Sequence, residues 1–218
     1  MSGIVGGINL RSSGLVNISS ATDGQVFTGT GAGLPVGFED AGGSAGLNFI
    51  SRVAISSSTA TADFLSSFSS TYDNYMATWD FCQPVDDGEP FVMNIAQGGS
   101  VVVSSSHDRA MLIGTEGSSV VAGGGAGHDH VYLTAANVGN ASLEEHTSGH
   151  VWIWSALHAA PSGISWQTYQ VNESADTQVV CGSSAFKAND TALSGIQFRY
   201  ECGNILIGNF TLYGLAKA

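Results

Sequence analysis

The sequence predicts an all-β fold, an antiparallel β-sandwich that follows an extended N-terminal arm. Three observations support this prediction. Apolar residues recur with a period of two along many short segments, as they do in strands with one buried face. Only 11% of the 218 residues are charged, against about 25% in typical domains. Twenty-nine glycines and many serines supply the tight turns that short strands require.

Residues 1–20 form the predicted arm, and residues 21–218 form one sandwich domain. Whether residues 21–60 make a small loop-rich part of that domain is left open. The arm has isolated apolar residues among glycine and serine, so it cannot build a core alone, but it could dock on a neighbouring subunit. A frayed terminus is the alternative. The predicted partner-binding residues are Ile4, Val5, Ile8, Leu10, Arg11, Leu15 and Val16.

The first part of the domain alternates in two clear segments. Residues 47–58 predict a strand with an irregularity near Ser51. Residues 74–82 predict a strand that has Tyr75, Ala77, Trp79 and Phe81 on one face and that ends at the following proline. Further short strands are expected at residues 91–96, 100–104 and 111–114, whereas the glycine-rich residues 117–127 predict a mobile loop.

The second part contains the most apolar strand. Over residues 148–154 the side chains of His150, Trp152 and Trp154 share one face and the intervening apolar residues share the other, so we expect a central strand covered on both sides. Residues 164–171 and 177–181 predict two more strands.

The last strands are predicted to be a hairpin. Residues 196–202 alternate apolar and polar side chains, and residues 205–213 follow after Gly203-Asn204, a pair tolerant of positive φ. We therefore expect these two strands to lie side by side and to complete one sheet.

Charge and hydropathy exclude several classes of protein. A net charge of −12 makes direct nucleic-acid binding improbable, because that requires a basic surface. No run is long and apolar enough for a membrane span, and the N-terminus lacks the pattern of a signal peptide, so we expect synthesis in a cytoplasm and no membrane partner. Cys82, Cys181 and Cys202 are widely spaced, which favours small buried side chains over a disulfide framework or a metal site.

The histidine and carboxylate patterns do not predict a metal or catalytic site. His128 and His130 could bind zinc on a strand edge or meet symmetry mates, but without a defined third ligand we favour surface or hydrogen-bonded histidines. Asp86, Asp87 and Glu89 lack the spacing of a calcium loop, which favours a solvated turn.

The paired acidic residues also fail as glycosidase carboxylates. Glu144-Glu145 and Asp86-Asp87 are adjacent in sequence, and neighbouring residues of a strand point to opposite faces. No Gly-x-Ser-x-Gly elbow is present. We predict no catalytic residues, no cofactor and no enzymatic activity.

Four segments have distinctive patterns: residues 68–84 (FSSTYDNYMATWDFCQP), where a Tyr-Asp-x-Tyr turn enters a strand that closes at a proline, residues 148–154 (SGHVWIW), residues 194–216 (SGIQFRYECGNILIGNFTLYGLA), and the opening MSGIVGGINLRSSGLV. These segments resemble small β-rich virion structural proteins of tailed, especially aquatic, bacteriophages. Gly-Asn-Ile followed by a strand ending in Leu-Tyr-Gly is the most specific part. Similar proteins tend to have Ser-Gly where this chain has Ile207-Gly208.

The resemblance implies a jelly-roll-like sandwich on the exterior of a phage particle. The expected function is that of a capsid decoration (cement) protein, a homotrimer that binds and stabilises the shell of the major capsid protein. The alternative is a tail fibre, baseplate or adsorption protein, in which Trp152, Trp154, Trp166 and Tyr169 would stack on host surface glycans.

Overall fold

The computed structural model describes residues 25–28, 37–40, 46–135, 137–141, 144–187 and 191–217. The chain divides into two compact units, Met1–Ser44 and Ala45–Ala218. In the first unit, the described backbone forms one antiparallel pair, β1 (Gln25–Thr28) with β2 (Gly37–Asp40). The predicted arm and its boundary at residue 20 lie outside the described residues.

The second unit is an antiparallel β-sandwich of an eight-stranded and a five-stranded sheet. The larger sheet has the order β3 (Leu47–Ile55), β15 (Ile205–Ala216), β5 (Tyr72–Pro84), β11 (Thr147–Trp154), β12 (Ser162–Val171), β13 (Thr177–Phe186), β8 (His107–Thr115), β9 (Val121–His128). The smaller has the order β10 (Val131–Tyr132), β6 (Phe91–Gln97), β14 (Gly195–Tyr200), β4 (Ala62–Phe64), with β7 (Ser100–Val101) also paired to β6. The all-β prediction is confirmed, and the jelly-roll-like connectivity stays a prediction.

Aromatic side chains from both sheets build the centre of the core. Trp79 of β5 packs against Phe91 of β6 and Phe198 of β14, with ring centroids 5.5 and 5.8 Å apart. Phe210 of β15 lies 5.4 Å from Phe198. All four side chains are essentially inaccessible to solvent. Because large rings bury the most apolar surface per residue, this cluster is the main source of cohesion between the sheets.

The predicted C-terminal hairpin is wrong, although both of its strands exist. β14 pairs with β6 and β4 in the smaller sheet, whereas β15 pairs with β3 and β5 in the larger one. The connecting residues 201–204 cross between the sheets, and their ends are bonded to different partners: the Glu201 amide donates to Pro90 O at 2.9 Å and the Ile205 amide donates to Thr59 O at 2.8 Å. Alternation identifies the buried face of a strand, but it does not identify the sheet that the strand joins.

The glycine-rich segment is also a strand rather than the predicted loop. β9 pairs with β8 at the edge of the larger sheet. Its glycines make room for neighbouring side chains, since a Cβ on Gly123 would lie 3.1 Å from Met111 Cγ and one on Gly125 would overlap the imidazole of His128. Glycine therefore serves close packing here, and not only turn formation.

Two irregularities decide which way aromatic side chains point. The register of β15 on β3 shifts between its partners Ser51 and Phe49, as predicted near Ser51. In β5, Phe81 adopts a φ of 50° and Cys82 is the next buried residue after Trp79. The prediction that Phe81 shares a face with Tyr75, Ala77 and Trp79 is therefore wrong. Phe81 instead stacks on the imidazole of His146, with 4.6 Å between ring centroids.

Candidate binding face

The outward face of the larger sheet is the part of the sandwich with the most accessible aromatic surface. In β11, Val151 and Ile153 are buried while His150, Trp152 and Trp154 point outward, as predicted. The central position of β11 between β5 and β12 is confirmed. The expectation of cover on both faces is not met among the described residues, because 39% of Trp154 is exposed.

Large side chains from four adjacent strands stand opposite one another on this face. The strand registers place Phe49 of β3 opposite Tyr213 of β15, Tyr213 opposite Met76 of β5, and Met76 opposite Trp152 of β11. Trp154 follows on the same face of β11. We call these five side chains the apolar band. Directly opposed side chains lie about 5 Å apart, so the band is a continuous surface.

The rings of the band are held in fixed orientations. Trp152 and Trp154 stack with centroids 5.1 Å apart and an interplanar angle of 10°. The indole Nε1 of Trp154 donates to Ser165 Oγ at 3.0 Å, which fixes the plane of the outer ring. At the other end, Phe49 is 63% exposed and its ring meets Tyr213 edge-on at 6.4 Å. Rings that are already oriented lose little conformational entropy when a partner binds.

Polar side chains lie next to the band. His150 stands opposite Gln167 of β12 and Thr78 of β5, one step along the sheet from Trp152. Of the nearby charged side chains, Lys217 and Asp73 form an ion pair at 2.9 Å, and the exposed Arg52 donates a hydrogen bond to the neutral Asn209 Oδ1 at 2.7 Å. The face therefore offers aromatic surface with adjacent hydrogen-bonding groups.

Two of the predicted aromatic contact residues lie elsewhere. Trp166 points into the core with 4% exposure, and its indole fills the space that a side chain at Gly182 would occupy. Tyr169 is 40% exposed, but its ring packs against His146 at 5.7 Å and it stands opposite Ser148 rather than a tryptophan. The prediction that Trp166 lies on the surface is wrong, since neighbouring positions of β12 face opposite sides.

Sequence reasoning missed Phe49, Met76 and Tyr213 as surface residues. Each strand contributes only one or two members, so no single segment contains the pattern. A signal was nevertheless present in β15, where Tyr213 and Leu215 have the same parity as the polar Asn209 and Thr211. Aromatic residues on the polar face of an alternating strand indicate an exposed apolar surface.

Three histidines meet at the open edge where β8, β9 and the β9–β10 connection converge, but not as a metal site. His107 is fully buried and opposes His128 across the strands. His130 is 5% exposed, and its Nδ1 lies 2.6 Å from Asp129 Oδ1. Burial lowers the pKa of His130, and it lowers the pKa of His107 to about 4. Within the described ranges, no three His, Cys, Asp or Glu side chains are arranged to hold a metal ion.

The acidic residues considered as metal or catalytic groups accept hydrogen bonds from backbone amides of loop residues. Asp87 Oδ1 accepts a hydrogen bond from the Asn140 amide at 3.1 Å, and Glu89 Oε2 accepts one from the Cys202 amide at 3.0 Å. Glu145 accepts from the Ala141 amide. Residues 86–89 lie in a turn, as predicted.

The cysteines differ from each other in exposure. Cys82 is fully buried, as predicted, and burial raises the pKa of its thiol to about 12. Cys181 and Cys202 are exposed, so the prediction of burial is wrong for these two. Cys181 lies on the outward face beside Leu112 of β8.

The predicted partner-binding residues of the arm, Ile4, Val5, Ile8, Leu10, Arg11, Leu15 and Val16, all lie outside the described residues. Their role stays a prediction. In the part of the chain with a described structure, no helix has the length and hydropathy to cross a membrane.

Comparisons with protein-family models, curated proteins and solved structures found no match. The resemblance to phage virion proteins therefore stays a prediction.

Proposed function

We propose that this chain is a non-enzymatic structural protein of a phage particle, and specifically a capsid decoration protein that binds the assembled shell of the major capsid protein. The apolar band is the observation that supports this proposal best. Its members are large, uncharged and in register on a rigid sheet, and aromatic residues and methionine are enriched in protein interfaces.

In this role the apolar band contacts the shell of the major capsid protein. Trp152 and Trp154 would be the anchors, because tryptophan most often dominates binding energy at the centre of an interface. The homotrimer and the attachment of the arm belong to the same proposal, as does location on the capsid exterior after synthesis in the host cytoplasm.

Such a protein would act through mass action. A ligand that binds only the assembled lattice stabilises it by RT ln(1 + [L]/Kd) at each site, about 2.7 kcal/mol when its free concentration is one hundred times Kd. Repeated over many sites, this modest term resists disassembly. No catalytic step is required.

Copy number and binding together test the proposal. Quantitative mass spectrometry of purified particles should give this chain in hundreds of copies, near a fixed ratio to the major capsid protein. In a pull-down with capsid shells that lack this chain, the Trp152→Ala variant should bind the shells at least about tenfold more weakly than the wild type, as expected for the loss of an aromatic anchor.

The matched control is Leu112→Ala. Leu112 is 56% exposed on the same outward face but on β8, distant from the band in strand order. We expect wild-type binding from this variant. A handful of copies per particle, or equal losses from both substitutions, would contradict the decoration role.

A second candidate function, adsorption to host surface glycans, is favoured by the parallel stack of Trp152 and Trp154 alone. A flat aromatic surface with nearby hydrogen-bonding side chains, here His150 and Gln167, suits the apolar face and the hydroxyl groups of a sugar ring. In this case particles would contain few copies, and the purified protein would bind host polysaccharide with an affinity that Trp154→Ala reduces. Absence of binding to host polysaccharide would remove this candidate.

A further inference from the structure

The strand β9 forms one edge of the eight-stranded sheet, and its outer side is unlike the other sheet edges. β9 has eight residues, VAGGGAGH, and pairs with β8 on one side only. Among the described strands, no partner pairs with its other side. From Val120 to Gly127 there is no charged residue and no proline. A long, uncharged edge presents a row of free backbone N–H and C=O groups.

The other sheet edges have features that discourage the addition of a further strand. β3, at the far side of the same sheet, has the exposed Arg52 near its centre. In the smaller sheet, β4 has three residues with an exposed aspartate in the middle, and β10 has only two residues. Charge and short length both discourage strand addition. β9 has neither, and its bulge at Ala126 and Gly127 affects only the end of the strand.

The sequence of β9 indicates which strand fits beside it. Residues 122–126 read Ala-Gly-Gly-Gly-Ala, which is the same in both directions. If two copies of β9 pair antiparallel about Gly124, Ala122 of each copy opposes Ala126 of the other, and glycine opposes glycine between them. No side chain larger than a methyl group then meets its counterpart, so the two backbones can approach to the ordinary spacing of about 4.8 Å.

We propose that β9 is a self-association edge, at which two copies of this chain pair their β9 strands antiparallel about a two-fold axis that passes midway between the two Gly124 residues. The contact is isologous, so each copy supplies the same residues to it. Because this axis is perpendicular to the sheet, the two outward faces lie on the same side of one continuous sheet. Exposed apolar side chains beside the edge, Val120 at 67% and Val121 at 54%, lose solvent contact in the pair.

A charge test reports on this pairing. Ala122 and Ala126 are both exposed, and Ala122 stands opposite the exposed Leu112 of β8, so substitutions there do not disturb the core. In the double variant Ala122→Lys/Ala126→Lys, the lysine at position 122 of each copy stands opposite the lysine at position 126 of the other copy. In Ala122→Glu/Ala126→Lys, a glutamate at position 122 stands opposite that lysine. The two variants share Lys at position 126 and differ only at position 122.

Sedimentation velocity of the full chain should give the wild type twice the molecular mass of the Lys/Lys variant. This ratio is expected even if the Lys/Lys variant still forms an oligomer through other contacts. The Glu/Lys variant should keep the doubled mass, with Kd about tenfold lower than for Lys/Lys, because opposed charges stabilise and like charges destabilise cross-strand pairs. Circular dichroism confirms that both variants are folded. Slow amide exchange at residues 122–125 should accompany the doubled mass.

Equal masses for wild type and the Lys/Lys variant would overturn the proposal. So would a loss of association to the same extent in both charged variants, since only antiparallel self-pairing distinguishes them. The outcome is independent of the proposed capsid role, because the measurement uses the isolated protein and leaves the apolar band intact.

Discussion

The hydroxyl of Tyr200 donates to the carbonyl oxygen of Cys82 at 3.0 Å, and this hydrogen bond joins the two sheets through the interior of the sandwich. Tyr200 belongs to β14 and Cys82 to β5, and both side chains are buried. Burial raises the pKa of Tyr200 well above its usual value, so the hydroxyl keeps its proton at all ordinary pH values.

Removal of this hydroxyl should destabilise the fold. Tyr200→Phe leaves the ring in place but deprives the Cys82 carbonyl of a buried donor, and we expect the free energy of unfolding to fall by about 1 to 2 kcal/mol. Urea denaturation measures the change. The control is Tyr132→Phe, which loses a hydrogen bond of 2.9 Å to the exposed Glu201 and should cost less than about 0.5 kcal/mol. Equal costs would contradict the structural role of the Tyr200 hydroxyl.

Thiol reactivity should divide the three cysteines. The thiolate is the reactive form, and the pKa of Cys82 is raised to about 12 by burial, so Cys82 should not react in the native protein. Cys181 and Cys202 are exposed and should react. A disulfide-exchange reagent such as Ellman's should therefore titrate two thiols in buffer and three in guanidinium chloride. Rapid native labelling of Cys82, located by peptide mass spectrometry, would be inconsistent with its burial.

Two glycines of strands should differ sharply in their tolerance of alanine. A Cβ at Gly195 would overlap the carbonyl oxygen of Phe64 and lie 2.8 Å from Leu65 Cα, both of which are backbone atoms that cannot rotate away. Gly195→Ala should therefore disrupt the pairing of β14 with β4, at a cost of several kcal/mol. At Gly163 the nearest atom would be 3.6 Å away, so Gly163→Ala should be nearly neutral. Thermal unfolding of the two variants tests this difference.

His107 should make stability depend on pH. Its pKa is about 4 in the folded protein because of burial, with repulsion from His130 and His128 adding to it and the carboxylates of Asp129 and Asp108 opposing it. In the unfolded chain the pKa is about 6.5. The unfolded state binds the proton first as pH falls, so stability declines between about pH 6.5 and pH 4, by about 3 kcal/mol in total.

Urea denaturation from pH 4 to pH 8 measures that slope. His107→Phe keeps a ring against Phe186 and should flatten the curve. The control Phe210→Leu, in the aromatic cluster formed with Phe198, should lower stability at every pH while retaining the slope. A His107→Phe curve as steep as the wild-type curve would contradict the assignment to His107.

Strand positions were predictable here because alternation is a local property. Val151 and Ile153 alternate with Trp152 and Trp154 within one segment, so their opposite orientations could be inferred without knowing the fold. The irregularity at Ser51 was visible in the same way, as an interruption of the period.

The partners of a strand are not local, and the errors follow from that. β15 alternates equally well beside β14 or between β3 and β5; the structure has the second arrangement, in which Phe210 of β15 packs on Phe198 of β14 across the sandwich. The apolar band was missed for the same reason, since Phe49 and Trp152 become parts of one surface only after four strands are aligned. The glycines of β9 indicated a loop because their effect on packing depends on Met111 and His128.

The insertion of the last strands between earlier ones fixes the order in which the sandwich can be assembled. β3 joins its sheet only through β15, and β4 is connected to β6 only through β14. A nascent chain therefore has no template for residues 47–64 until residues 195–216 have left the ribosome. Such long-range pairing folds slowly and leaves strand edges unpaired for a time. We expect β3 and β4 to join their sheets only late in folding, and we expect folding to be sensitive to chaperones that shield these edges.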